Sequence, residues 1–349
     1  MEKQLIYDLS FEDLARLVAE RGEPGYRAEQ IWGGLYAELW AEPETFTTLP
    51  KKLRERLTEQ FTFSHLEVQA RQQSSDGETT KVLFGLPDGN AIETVLMRYK
   101  ERRTLCISSQ AGCALGCTFC ATGQMGFRRN LTSGEIVEQV LYFARELAAK
   151  GERVTNVVLM GMGEPFHNYD ATLAAIDRLN DHQGFNLGAR HFTISTVGLV
   201  PAIQRFTAEK RQVGLAISLH AADDELRSSM LPVNDRYPIE ELIAACREYV
   251  EVTGRRITFE WALIQDVNDT PEQAHALVEL LKGLNCHVNV IPLNPTQGFD
   301  GEKSTRARVT GFKRVLDEAG IPCTVRVRRG IDIDAGCGQL AERVEAESG

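Results

Sequence analysis

The N-terminal segment of the chain carries apolar residues at three- and four-residue spacing, which is the period of a helix with one buried face. The spacing holds over Phe11–Arg21 and Tyr26–Leu39. It returns over Thr48–Phe61, where Pro50 lies in the first turn. We therefore predict an N-terminal helical accessory domain over residues 1–62.

The period then shortens to that of β-strands. Three short segments, His65–Arg71, Thr79–Gly85 and Ala91–Lys100, are separated by turns rich in Asp and Gly. This pattern is typical of a small antiparallel meander. We expect a β extension or linker over residues 63–103.

From Thr104 onwards, strand patterns alternate with helix patterns. Several of the strands are continuous apolar runs, such as Val157–Met160, as expected when helices cover both faces of a sheet. Such alternation indicates an α/β fold with a parallel sheet or barrel, and six clear repeats predict a partial (β/α)6 barrel over residues 104–349. Strands are expected near 104–109, 155–160, 191–196, 213–219, 256–264, 287–292 and 323–328, and helices near 133–150, 170–181, 199–208, 238–253, 271–284 and 305–319.

The composition excludes several classes of protein. The chain has 349 residues, of which 43% are hydrophobic and 25% charged, as in ordinary globular proteins. No run of ~18 apolar residues occurs, so we expect no membrane span. The first 20 residues carry acidic side chains and lack the apolar core of a secretion signal, and we therefore expect a cytoplasmic protein.

Acidic residues outnumber basic ones by 49 to 39, which gives a net charge of −10. This balance alone argues against non-specific binding of polyanions. Local basic groups can still contact nucleic acid, or they can be solvated faces of the fold. The groups are Lys51, Lys52, Arg54 and Arg56; Arg98, Lys100, Arg102 and Arg103; Arg128 and Arg129; and Arg326, Arg328 and Arg329.

Three of the eight cysteines, Cys113, Cys117 and Cys120, follow directly after the first predicted barrel strand. Active sites of parallel α/β folds gather at the carboxyl ends of the strands. Three thiolates on one tight loop can ligate three irons of a [4Fe–4S] cluster and leave the fourth iron open. The alternatives are reduced structural thiols or a zinc site completed by a distant histidine, although zinc sites usually use paired CxxC motifs.

A CxxxCxxC motif after the first strand of a partial barrel resembles the signature of the radical S-adenosylmethionine (SAM) superfamily. The resemblance implies that the open iron binds SAM, whose reductive cleavage releases a 5′-deoxyadenosyl radical. Polar or glycine residues at the ends of later strands fit the same cofactor, and Glu164 is suited to accept its ammonium group. These predicted cofactor-binding residues are Gly163, Glu164, Ser195, Ser218, Leu219, His220 and Asn294.

A narrower resemblance covers nearly the whole chain. Cys106–Cys113, Phe127–Leu131, Gly161–Pro165 and Gly330–Leu340 together are similar to the RlmN/Cfr group of radical enzymes that methylate adenosine in RNA. Within that group, Tyr26–Trp32 is similar to the RlmN branch. That branch methylates carbon-2 of an adenosine in the peptidyl transferase centre of 23S rRNA and of an adenosine 3′ of the tRNA anticodon. The Cfr branch, the alternative, acts on carbon-8 of the ribosomal adenosine.

The resemblance also implies catalytic roles for three residues. Cys337 takes a methyl group from one SAM, and the radical from a second SAM converts it to a methylene radical that links the protein to RNA. Cys106 then forms a transient disulfide with Cys337 and releases the methylated base, while Glu93 accepts the ring proton. An electron donor such as flavodoxin or ferredoxin is implied, and we expect a monomer.

The residues themselves leave other interpretations open. By pattern alone, Glu93 fits a solvent-facing residue of an edge strand, and Cys106 fits the core. A radical enzyme of another type, such as a glycyl-radical activase, would share the cluster but would not need Cys106 or Cys337. A metal-stabilised RNA-binding module without catalysis is a further alternative. As a hypothesis, we assign the basic groups at 51–56, 98–103 and 128–129 to RNA contact.

Overall fold

The computed structural model describes residues 3–296 and 298–341. Its N-terminal part contains α1 (Phe11–Glu20), α2 (Tyr26–Tyr36) and α3 (Lys51–Gln60), flanked by a parallel pair of two-residue strands, β1 (Gln4–Leu5) and β2 (Phe61–Thr62). A capping box begins α1: Ser10 accepts from the backbone of Asp13, whose side chain accepts from the backbone of Ser10. The three helices start and stop close to the limits that the apolar spacing predicts.

Three antiparallel strands follow: β3 (Glu67–Gln73), β4 (Thr79–Gly85) and β5 (Ala91–Arg98). Every residue of β4 is buried, because the strand is central among the three and Tyr142, from a later helix, packs on Phe84. The predicted meander is therefore present, but it is not a separate sheet. β5 pairs with the first barrel strand, so the extension continues the barrel sheet.

The remaining elements alternate as the sequence predicts, with the addition of one hairpin and two short helices. In chain order they are β6 (Arg103–Cys106), β7 (Gln110–Gly112), α4 (Ala121–Met125), β8 (Phe127–Asn130), α5 (Ser133–Ala148), β9 (Asn156–Leu159), α6 (Tyr169–Asn180), β10 (Phe192–Thr196), α7 (Val200–Glu209), β11 (Gly214–Ser218), α8 (Asp224–Met230), α9 (Ile239–Thr253), β12 (Ile257–Leu263), α10 (Pro271–Leu281), β13 (Cys286–Pro292), α11 (Arg306–Glu318) and β14 (Cys323–Val325).

The main sheet has ten strands in the order β14-β13-β12-β11-β10-β9-β6-β5-β4-β3. The seven strands from β6 to β14 are parallel to their neighbours, and β3 to β6 are antiparallel. The predicted α/β fold with an open, partial barrel is thus confirmed. The seventh strand, expected over 323–328, ends at Val325 in the structure.

The predicted domain boundaries at residues 62 and 103 stay a prediction, and the end of the third domain, 342–349, lies outside the described residues. One hydrophobic core runs from the N-terminal helices into the barrel: Trp32 and Tyr36 of α2 belong to the same buried cluster as Val157 of β9. The N-terminal helices are therefore packed firmly on the barrel. No helix in the described part of the chain is long and apolar enough to cross a membrane.

Candidate active site

A cavity opens where β9 to β13 end, with an empty volume of about 910 Å³. Consecutive parallel strands end at the same edge of a sheet, so this edge collects residues that are distant in sequence. A wider cleft of about 1390 Å³ lies near the amino-terminal ends of the strands, and it contains none of the predicted site residues. The cavity at the carboxyl ends therefore holds the candidate chemistry.

The loop between β7 and α4 carries Cys113, Cys117 and Cys120. Cys113 and Cys117 are buried, and Cys117 and Cys120 line the cavity. Burial raises the pKa of all three thiols, that of Cys113 to about 12. The loop is fixed at Thr118, whose amide donates to the Met230 carbonyl of α8 at 3.0 Å. Binding a metal cluster would displace the thiol protons.

The arrangement of these thiols bears on which metal they suit. Among residues 3–296 and 298–341, no three His, Cys, Asp or Glu side chains converge on a single ion position. Each thiolate of a cubane cluster ligates its own iron, so three cysteines on one loop suit three irons of a [4Fe–4S] cluster.

Glu164 lies in the segment after β9, and its carboxylate is buried at the cavity wall. Its two oxygens accept the backbone N–H groups of Phe166 and Val197, each at 3.0 Å. Its own amide donates to Gln110 Oε1 at 2.8 Å. Burial raises the pKa of Glu164 to about 7 despite these hydrogen bonds.

Gly163, beside Glu164, has a φ of +96° and lies against β7. A Cβ atom at this position would lie 2.5 Å from Cβ of Gln110, so no larger residue fits without displacing the β7 strand. The glycine thus brings the backbone after β9 to the rim of the cavity. It also lines that cavity, as predicted for a cofactor contact.

Ser195, Ser218 and His220 line the cavity, whereas Leu219 is fully buried behind it. Nδ1 of His220 accepts the backbone N–H of Ala262 at 2.9 Å, so the ring is neutral and carries its proton on Nε2. Burial lowers the pKa of His220 to about 3. The imidazole therefore offers the cavity an uncharged donor at every physiological pH.

Asn294 is shared by this cavity and a smaller neighbour. Its Nδ2 donates to the backbone carbonyl of Cys337 at 3.1 Å. Its Oδ1 is buried and has no hydrogen-bond partner in the described part of the protein. An orphaned acceptor at a cavity wall costs stability, and it fits a site that is completed by a hydrogen-bond donor on a bound molecule.

Cys337 also lines both cavities, and Cys106 lines the smaller one. Cys337 is exposed, but its exposed surface faces the cavities, and the surrounding protein raises the pKa of its thiol. Cys106 is buried, which raises its pKa well above the usual range, and a charge on Cys337 would raise it further. The structure brings these two thiols together although 230 positions separate them in sequence.

The segment that carries Cys337 is tied to the cysteine loop. The Ala121 amide donates to the Gly338 carbonyl at 2.8 Å, and Thr122 Oγ1 donates to the Leu340 carbonyl at 2.7 Å. The C-terminal segment is therefore fastened to the turn that follows Cys120.

Glu93 is buried on β5 and does not line either cavity. Its carboxylate pairs with Lys81 at 3.0 Å and accepts the Ala341 amide at 3.0 Å. Burial raises the pKa of Glu93, while Lys81 opposes that shift. The expectation of a solvent-facing residue on an edge strand is wrong, because β5 lies inside the ten-stranded sheet.

Sequence reasoning missed two charged residues at this site. Glu260 of β12 lines the main cavity, accepts from Asn289 Nδ2 at 2.9 Å and lies close enough to Cys337 to interact electrostatically with it. Arg227 of α8 is fully buried beneath the strand ends. A carboxylate within the apolar run of β12 was the one signal that could have identified Glu260.

The structure changes the assignment of the basic groups. Arg98 and Arg103 form ion pairs with Glu146 and Glu152. Arg129 pairs with Asp88 and, at 2.8 Å, with Glu135. These three arginines hold the fold together, which weakens their assignment to RNA contact. The group members that remain exposed in the structure are Lys51, Lys52, Lys100, Arg102 and Arg128.

Two protein-family models match this chain. A family model described as the radical SAM superfamily matches residues 107–296. A second model, described as the ribosomal RNA large subunit methyltransferase N-terminal domain, matches residues 5–63.

Three similar proteins extend the match to nearly the full chain. The chain is 51% identical to a probable dual-specificity RNA methyltransferase RlmN of Chloroflexus aurantiacus, over 98% of this chain and 94% of that protein. It is also 51% identical to dual-specificity RNA methyltransferase RlmN 1 of Myxococcus xanthus, over 98% of this chain and 96% of that protein. A crystal structure of a radical SAM methyltransferase from Sphaerobacter thermophilus superposes with a TM-score of 0.95 at 50% identity, covering 97% of this chain and 100% of that one.

Proposed function

This chain belongs to the RlmN family of radical SAM RNA methyltransferases, and on that premise we propose that it methylates carbon-2 of adenosine in two RNAs. One target lies in the peptidyl transferase centre of 23S rRNA, and the other lies in tRNA on the 3′ side of the anticodon. Two relatives named as dual-specificity RNA methyltransferases support a double substrate. These substrates would place the enzyme in the cytoplasm.

The cofactors follow from the family: radical SAM enzymes use a [4Fe–4S] cluster and SAM. We propose that Cys113, Cys117 and Cys120 ligate the cluster. When bound, the cluster and two SAM molecules per turnover supply a methyl group and the radical that activates it, with the electron coming from a donor such as flavodoxin or ferredoxin. The contacts proposed for SAM are Gly163, Glu164, Ser195, Ser218, Leu219, His220 and Asn294.

The observation that carries the proposal is the position of Cys337 between two cavities, with Cys106 lining one of them. A thiol that is exposed to both cavities can receive a methyl group on one side and meet the target adenine on the other. Cys337 Sγ holds the methyl group and becomes linked through it to the ring carbon. Cys106 Sγ, as a thiolate, then attacks Cys337 Sγ and a disulfide forms as the bond from Cys337 to the transferred carbon breaks. The bonding electron pair leaves with that carbon, which takes up a proton and becomes the methyl group of the product.

Glu93 is the proposed acceptor of the ring proton. The pKa of its carboxyl group is raised by burial, which suits a general base. The Ala341 amide donates to this carboxylate at 3.0 Å, so Glu93 contacts the C-terminal segment that carries Cys337. Because Glu93 lines neither cavity, proton transfer to it requires a local rearrangement when RNA binds.

The RNA surface is proposed from charge. Lys51 and Lys52 are exposed at the start of α3, in the part of the chain that matches the methyltransferase N-terminal domain. Arg326 and Arg328 line the smaller cavity beside Cys106. Phosphate contacts at these positions would orient the RNA, and the target base must leave its stack to reach Cys337.

The test of this function follows the methyl group. We expect anaerobically purified protein to carry one additional methyl group on Cys337, and Cys337→Ala to remove both the modification and the activity. Cys106→Ala should accumulate a covalent protein–RNA adduct. Cys323→Ala is the control, because this buried thiol lies outside both cavities.

Two results would contradict the proposal. Detection of 8-methyladenosine instead of 2-methyladenosine in the RNA product by mass spectrometry would assign the chain the Cfr-like reaction. Alternatively, normal methylation of RNA by Cys337→Ala would show that the reaction does not pass through a covalent intermediate at Cys337.

A further inference from the structure

In the described part of the chain, Arg227 of α8 is a fully buried cation that makes no direct ion pair. Asp224 interacts with it only at longer range, through Asn234, which accepts from Arg227 and donates to Asp224. The relative exposure of Arg227 is 0%, and within the described residues no Asp or Glu oxygen lies within 4.0 Å of its guanidinium. A buried charge is costly unless it is paired, because the low-dielectric interior replaces water poorly. Burial lowers the pKa of Arg227 to about 10, which reflects that cost.

The guanidinium instead binds neutral oxygens at the ends of two neighbouring strands. Its Nη2 donates to the carbonyls of Val197, at 2.5 Å, and Ser218, at 3.3 Å. Its Nε donates to the Leu219 carbonyl at 3.2 Å, and Nη1 donates to Asn234 Oδ1 at 2.8 Å. One side chain thereby joins the backbone after β10 to the backbone after β11.

These carbonyls belong to the wall of the main cavity. The amide of Val197, whose carbonyl binds Arg227, donates to Glu164 Oε2 at 3.0 Å. Ser218 lines the cavity itself. Arg227 therefore fixes the backbone from which the proposed SAM contacts project, although it does not touch the cavity.

Arg227 also lies near the cysteine loop. It is close enough to Cys117 for a charge on either group to affect the other. Helix α8 reaches the same loop through the hydrogen bond from Thr118 to the Met230 carbonyl. A cysteine that ligates iron does so as a thiolate, so cluster binding would bring negative charge to the neighbourhood of Arg227, which has no direct ion pair among the described residues.

We propose that Arg227 is a positioning residue of the cofactor site, which clamps the ends of β10 and β11 and supplies the positive charge that offsets the thiolate-ligated cluster. The cation makes the gain of an electron by the cluster more favourable, since net charge near an iron–sulfur cluster helps to set its potential. The inference rests on the cofactor class of the proposed function. It does not depend on which RNA or which ring carbon is methylated.

The experiment compares Arg227→Gln and Arg227→Lys with a matched control, Arg178→Gln. Arg178 of α6 is also buried and also binds carbonyls, those of Asp8 and Leu9, but it lies away from the cavity. The full-length protein is reconstituted with iron and sulfide, and iron content and circular dichroism are recorded. The midpoint potential is then measured by electron paramagnetic resonance during redox titration, and SAM affinity by equilibrium dialysis.

We expect Arg227→Gln to lower the midpoint potential by ~59 mV, a tenfold change in a one-electron equilibrium, and to weaken SAM binding about tenfold. Arg227→Lys keeps the charge, but all its donors lie on one nitrogen and cannot reproduce the spacing of the Nε, Nη1 and Nη2 contacts. It should therefore retain the potential and lose part of the SAM affinity. Arg178→Gln should lower thermal stability while both cofactor readouts stay at their wild-type values.

Three outcomes would overturn the proposal. In the first, Arg227→Gln binds iron fully and keeps both the wild-type potential and SAM affinity. In the second, Arg178→Gln shifts the potential as much as Arg227→Gln. In the third, which still applies if the Gln variant does not fold, Arg227→Lys itself shifts the potential. If Arg227→Gln shows the expected changes in potential and SAM affinity but the wild-type protein methylates no RNA, this inference stands and only the proposed function is contradicted.

Discussion

At the scale of single residues, Glu164 shows how position sets acidity. Its carboxyl group is buried, and burial disfavours the charged form more strongly than the two backbone N–H groups favour it. The folded protein therefore holds this proton to about pH 7, whereas the unfolded chain releases it near 4.5. Between these values the folded state binds more protons than the unfolded state.

This difference predicts a pH dependence of stability. The contribution of Glu164 to the free energy of unfolding is fully present below pH 4.5. It is lost as the pH rises through about 7, and the loss is about 3 kcal/mol at most. In the cluster-free protein, we expect the stability advantage of wild type over Glu164→Gln to shrink as the pH rises from 5 to 8. Chemical denaturation at several pH values measures it, and parallel curves for the two proteins would contradict the expectation.

The residues that line the cavity could be predicted from the sequence only where they belong to a motif or lie at the end of a predicted strand. Ser195, Ser218 and His220 were identifiable, because the carboxyl end of a parallel strand points to one rim. Arg227 was not, because its partners lie up to 30 positions away and its burial depends on how α8 packs. Burial of a charged side chain is a tertiary property that local periodicity does not encode.

At the scale of elements, the long helices were predicted well because each spans several apolar periods. Helix α5, for example, was expected over 133–150 and is observed over Ser133–Ala148. The five-residue helix α4 and the seven-residue helix α8 were missed, since two turns or fewer give too little periodicity. Both short helices contact the cysteine loop, so the elements that escaped prediction are those that support the site.

The close approach of the segment between β9 and α6 to strand β7 can be tested at Gly163. Gly163→Ala would push a Cβ atom against Gln110 of β7 and force φ away from +96°. We expect a loss of ~1–3 kcal/mol in the free energy of unfolding and weaker SAM binding.

The control for this change is Gly151→Ala. Gly151 has a similar φ of +71°, but a Cβ atom there would meet no atom within 4 Å. The Gly151→Ala variant therefore measures the cost of a positive φ alone, without the steric clash that Gly163→Ala introduces. Equal losses in the two variants, measured by denaturant unfolding, would show that the close approach to β7 is unimportant.

At the scale of the whole molecule, one sheet joins the β extension to the barrel, and one core joins the N-terminal helices to both. The net charge is −10, so an RNA substrate must be met by local basic surface. The exposed lysines of α3 offer such a surface, whereas Arg98, Arg103 and Arg129 are occupied by carboxylates.

This distribution of charge predicts a change in salt dependence. The double variant Lys51→Glu/Lys52→Glu should bind tRNA more weakly and lower the slope of log affinity against log salt by about 2. Lys282→Glu is the control, since that exposed lysine precedes the amino-terminal end of β13 and does not line the main cavity. Filter binding over a salt series measures both, and identical slopes in the two variants would remove α3 from the RNA surface.

The fastening of the C-terminal segment to the turn after Cys120 couples two distant parts of the chain. Gly338 and Leu340 accept hydrogen bonds from the Ala121 amide and the Thr122 hydroxyl, immediately beside a proposed iron ligand. A displacement of the turn at Cys120 would therefore be transmitted through these two hydrogen bonds to the residues that follow Cys337. The position of the proposed methyl carrier is in this way linked mechanically to that of the cysteine loop.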